Sequence, residues 1–90
     1  MKIIKRSGVE VDFDINKIIE AMKKANNEVI DSEKLTDEKI LELANNVSKK
    51  CKKAKYSLNV EEIQNLVEDE LMNINAFNIA RKYIISFYVI

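Results

Sequence analysis

Histidine and proline are absent from this 90-residue sequence, and glycine and cysteine occur once each, as Gly8 and Cys51. Without histidine, the commonest general base and metal-ligating side chain is missing. With no proline and one glycine, long irregular connections are not expected. A lone cysteine cannot close an internal disulfide, which fits a reducing, cytoplasmic setting. A dominant charge is lacking too, since 15 Lys and Arg balance 15 Asp and Glu. Nothing in that balance demands a nucleic acid or a membrane surface as partner. The apolar runs stop far short of a membrane span, and no signal-peptide pattern opens the chain. There is neither a glycine-rich phosphate loop of the Walker type nor a convincing nucleophile and base pair. The chain is therefore not expected to be an enzyme by itself.

What is present is an ordinary balance of 47% hydrophobic and 33% charged residues, enough for one small domain over residues 1–90. The most informative stretch runs from Lys5 to Ile18. Ser7 and Gly8 read as a two-residue hairpin connection, with glycine taking positive φ at little cost. Val9, Val11 and Phe13 then fall on one strand face, and Glu10 and Asp12 on the other. Asp14 stands where an N-cap belongs, ahead of Ile15, Ile18, Ile19 and Met22 at helical spacing. Lys5 and Arg6 at the strand end, and Lys17 in the first helical turn, could converge with that helix start. Three cations beside a helix N-terminus outline an anion site, and phosphate is the obvious anion.

The remainder reads as helix. A first helix runs from about Ile15 to Lys24, with Asn26 and Asn27 marking its end. Thr36 caps a second, whose stripe is Ile40, Leu43, Ala44, Val47 and Cys51, extending to about Lys53. Asn59 with Glu62 forms a capping box for a third, whose stripe is Ile63, Leu66, Val67 and Leu71. Asn75 separates it from a last helix with Phe77, Ala80, Ile84 and Phe87 or Tyr88 inward. The expected fold is α+β and mainly helical: an N-terminal β-hairpin followed by a four-helix bundle.

Two ordered blocks of the chain resemble a known family, the ATP-cone, a regulatory module found mostly at the N-terminus of ribonucleotide reductases. The first is Ile3-Ile4-Lys5-Arg6-Ser7-Gly8 with Phe13-Asp14-Ile15-Asn16-Lys17-Ile18. The second is Val60 to Glu68 with the tail Ala80 to Ile84. The resemblance implies ATP or dATP as allosteric ligand, carried with Mg2+ and with no metal ligand from the protein directly. It implies Lys5, Arg6 and Lys17 on the phosphates, and Asp14 beside the nucleotide as well as capping its helix. It implies Ile3, Ile4 and Ile18 walling the adenine, with Val60 and Gln64 facing the nucleotide from across the bundle. The implied parent is a reductase of deoxyribonucleotide synthesis, best matched by the anaerobic class. Its activity and oligomeric state would be set by the effector through the reductase body or self-association. A zinc-ribbon cysteine set, which precedes the cone of a related repressor, is absent.

Plainer readings stand beside these. Lys5 and Arg6 could be solvated strand-end charges. Lys17 opposes its helix dipole at a cost of roughly 0.3–1 kcal/mol, which a bound phosphate would reverse. Ile3, Ile4 and Ile18 could be simple core, and Val60 and Gln64 a core residue and an exposed one. Lys49, Lys50, Lys52, Lys53 and Lys55 form a cluster that supports an alternative, a small helical DNA-binding or docking domain. No aromatic interleaves these lysines, so a solvated helix end is the simpler account, with Cys51 buried and inert among them. The family's usual glycine before the last helix is Asn75 here, and Asn tolerates left-handed geometry. The end Phe87-Tyr88-Val89-Ile90 departs from the family's basic tail, and its apolar character suggests a docking or dimer contact.

Overall fold

The computed structural model describes the backbone of residues 1–89 and the side chains of residues 1–84. Two strands, β1 (Lys2–Ile4) and β2 (Glu10–Asp12), lead into α1 (Ile15–Asn27), and a 3-10 turn at Asp31–Glu33 precedes α2 (Asp37–Lys53). A short strand β3 (Leu58–Asn59) runs directly into α3 (Val60–Asn73), and α4 (Phe77–Val89) follows. The fold is α+β, as expected, with α1 packed on α2 and α4, and α3 packed on the same two helices. Among the described residues, no helix is long and apolar enough to cross a membrane.

The sheet is larger than a hairpin. Its order is β2-β1-β3, with β1 antiparallel to β2 and parallel to β3 through the pairs Ile3↔Leu58 and Ile4↔Asn59. A two-residue strand carries no periodicity to read, and its parallel partner is remote in sequence, so local pattern could not reveal it. The hairpin turn differs as well. Gly8 N donates to Lys5 O at 2.9 Å, Lys5 N donates to Val9 O at 2.9 Å, and Gly8 has φ +87°. Glycine thus fills the left-handed position of a longer loop with a bulge, not a two-residue turn. Pairing resumes only at Glu10, and Val9 is left 56% exposed, off the inward face that it was expected to share.

Every expected helix cap is present. Asp14 Oδ1 accepts from Asn16 N at 3.0 Å, and Thr36 Oγ1 accepts from Lys39 N at 3.1 Å. Asn59 Oδ1 accepts from Glu62 N at 2.8 Å while Glu62 Oε1 accepts from Asn59 N at 3.2 Å, completing the capping box. Asn75 takes φ 62°, and Ala76 N to Leu71 O with Asn75 N to Met72 O closes α3 in a Schellman turn. Asn26 does more than end a helix. Buried, it donates from Nδ2 to Leu35 O at 3.0 Å and accepts at Oδ1 from Leu35 N at 2.8 Å, pinning the α1–α2 connection.

The core is built from Ile18, Met22 and Ala25 of α1, the expected α2 stripe, Leu58, and Ile63, Val67 and Leu71 of α3. From α4 it takes Ile79, Ala80 and Tyr83. Phe77 is half exposed and does not point inward. The Schellman turn brings Ala76 against the core, so the buried stripe runs 76, 79, 80 and 83, with Ile84 at its margin. The side chains of Phe87, Tyr88, Val89 and Ile90, the suggested docking tail, lie outside the described residues.

Candidate functional site

Because Ile4 pairs with Asn59, the chain leaves β1 and β3 side by side. From β1 it enters the hairpin loop at Lys5 and Arg6. From β3 it enters the first turn of α3 at Val60. The two exits enclose a cleft of about 210 Å³ lined by Ile4, Lys5, Arg6, Asn59, Val60 and Glu61. Two cations thus stand beside the start of a helix whose capping residue has its side chain already engaged with Glu62. Arg6 Nε approaches Glu61 Oε1 at 3.7 Å, with both side chains well exposed. Ile4 and Val60 are half-buried and give the cleft its apolar wall. A cationic rim, an apolar wall and backbone N–H groups at a helix start suit an anion attached to a flat apolar group.

Of the nine residues expected at the site, this cleft gathers Ile4, Lys5, Arg6 and Val60. Ile3 turns to the other face of the sheet, half-buried against the core, and Ile18 is a core residue with 6% exposure. Asp14 is exposed and caps α1, and Lys17 is exposed in the first turn of that helix. Gln64 lies one turn beyond Val60 and is only 3% exposed, where an exposed side chain was the plain reading. Its Oε1 has no hydrogen-bond partner among the described residues. An orphaned buried acceptor costs roughly 1–3 kcal/mol and calls for an explanation, a ligand among them. Sequence reasoning missed Asn59 and Glu61 as neighbours of Arg6. Only the parallel β1–β3 pairing brings them there.

Two other charged regions serve the fold. Lys2 Nζ lies 2.7 Å from Asp12 Oδ1 across the hairpin, and that hydrogen bond lifts the lysine pKa and lowers the carboxyl's. In the lysine cluster, Lys50 donates to Glu70 Oε2 at 2.9 Å and Asn46 Nδ2 donates to Glu70 Oε1 at 2.8 Å, tying α2 to α3. Burial pushes the Glu70 pKa up, but the two hydrogen bonds and the Lys50 charge outweigh it and leave the carboxyl below its usual range. Lys52 and Lys55 border a second hollow of about 350 Å³ with Met1, Lys2, Cys51, Ala54, Tyr56, Ser57 and Leu58. Burial raises the Cys51 thiol pKa, which fits an inert core residue. Tyr83, buried between helices, is pushed up to about 12 and stays neutral. Among the described residues, no group of three or more His, Cys, Asp or Glu side chains is placed to hold a metal ion.

A cationic cleft at the junction of sheet edge and helix start has the chemistry that suits a phosphorylated ligand. The ATP cone domain family matches residues 1–88, and the chain belongs to that family. It is therefore a nucleotide-binding regulatory domain and not itself a catalytic one. No curated protein matches the chain.

Proposed function

We propose that this domain binds ATP or dATP and regulates a ribonucleotide reductase, with the anaerobic class as its best-matched parent. The observation that carries the reading is the cleft where Lys5 and Arg6 meet the first turn of α3, in a chain of this family. Arg6 offers a planar fork and Lys5 a compact charge for phosphate oxygens. Lys17 and Asp14 flank the phosphates from the start of α1. Mg2+ travels with the triphosphate on its own oxygens. Ile4 and Val60 wall the base, with Ile3 and Ile18 packed in the core behind them, and the orphaned acceptor of Gln64 gains a donor from the ligand.

Regulation then follows from linkage. ATP and dATP occupy one site, and their different contacts favour different quaternary arrangements, active with ATP and inhibited with dATP. The docking partner is the reductase body or a second copy, through the apolar tail. The alternative, nucleic-acid binding through Lys49–Lys55, has weaker support because Lys50 is committed to Glu70. Calorimetric titration of the chain with ATP, dATP and GTP in magnesium tests the reading. Saturable adenine-nucleotide binding, weakened at least tenfold by Arg6→Ala, is the expected result. Unchanged ATP binding in Arg6→Ala would remove the site from this cleft, and salt-sensitive duplex binding without nucleotide binding would favour the alternative.

A further inference from the structure

Glu61 lines the same cleft as Lys5 and Arg6, and its Oε1 faces Arg6 Nε at 3.7 Å. It also stands in the first turn of α3, where the helix dipole favours negative charge. An entering phosphate would draw on those same two features, the Arg6 guanidinium and the positive end of α3. We propose that Glu61 is an internal competitor for the phosphate, an autoinhibitory contact that lowers the affinity of the free domain. The inference rests on the nucleotide reading above and adds to it a residue that opposes binding.

The competition is mild by construction. Both partners are well exposed and the pair is longer than a tight charge-assisted bond, so Glu61 yields to a multiply charged ligand. An anion with a single charge gains little over the carboxylate already there. Glu61 thereby raises the charge that a ligand must carry to displace it. Its neighbour Glu62 has no such freedom, because its carboxylate is held by Asn59 N and by the Tyr56 hydroxyl at 3.0 Å.

The test compares ATP affinity, in magnesium, of the full chain, Glu61→Gln and Glu28→Gln, at low salt and at about 0.5 M NaCl. Glu28, just past the end of α1, controls for the change in net charge. Glu61→Gln should bind ATP about three- to fivefold more tightly at low salt, matching the range of exposed ion pairs. That gain should vanish at high salt, where screening acts within a few ångströms. Glu28→Gln should match the parent under both conditions. In the ligand-free chain, the Arg6 Nε–H resonance should move on Glu61→Gln and stay in place on Glu28→Gln. Equal or weaker ATP binding by Glu61→Gln, or an equal gain in Glu28→Gln, overturns the inference while leaving the nucleotide site intact. A parent chain that binds no nucleotide overturns the functional reading itself.

Discussion

Two ion pairs divide the molecule into a part that holds its shape and a part available to a ligand. Between α2 and α3, Glu70 is nearly buried and takes short hydrogen bonds from both Lys50 and Asn46. At the sheet edge, Arg6 and Glu61 face each other at 3.7 Å with side chains 44% and 59% exposed. The first carboxylate has both oxygens engaged by donors from another helix, so its removal leaves those donors without their acceptor. The second pair sits in water, where exposed charges contribute little to stability and exchange partners readily. The same chemistry is therefore structural in one place and available for binding in the other. Burial and the number of converging donors decide which.

The largest expected effect breaks the structural member. Glu70→Ala removes two hydrogen bonds to a charged group and should cost about 2–3 kcal/mol, read as a lower midpoint in denaturant, with ATP affinity unchanged. Arg6→Ala should do the reverse. Its ATP affinity should fall at least tenfold, while ligand-free stability shifts by less than about 0.5 kcal/mol. If the two variants instead changed both properties together, the division between shape and site would fail.

Acid sharpens the same contrast. The Glu70 pKa is lowered on folding, so the folded chain binds that proton less readily than the unfolded chain. Its contribution is complete above the usual carboxylate range and is lost as pH falls through the lowered value. The parent should lose stability in acid, and Glu70→Gln should lose less over the same interval, as measured by thermal unfolding between neutral and acid pH. The smallest effect concerns the rest of the lysine cluster. Neutralising Lys49, Lys52 and Lys53 together should leave ATP affinity within a few-fold, since exposed charges beyond about 10 Å are screened at moderate salt. Lys50 is kept out of that variant because it holds Glu70.

The caps at Asp14, Thr36 and Asn59, the left-handed Asn75 and the apolar stripes of α1 to α3 were legible in the linear chain. Each depends on hydrogen bonds or side-chain spacing confined to a turn or two, so a few neighbouring residues suffice to specify it. The cationic pair Lys5-Arg6 was legible for the same reason, as part of a motif beside a turn. Its surroundings were not. Pairing β3 alongside β1 brings Glu61 against Arg6, folding α3 onto α2 commits Lys50 to Glu70, and closing the connection before α2 on Asn26 buries that amide. The first two contacts join segments remote in sequence and the third spans a whole connection, so their meeting is set by how sheet and helices pack around the shared core. The chain by itself determined the four helices, their caps, the pairing of β1 with β2 and which cations stand ready. Only the tertiary structure decided which carboxylates Arg6 and Lys50 meet, because that choice depends on burial and approach between elements and leaves no local pattern.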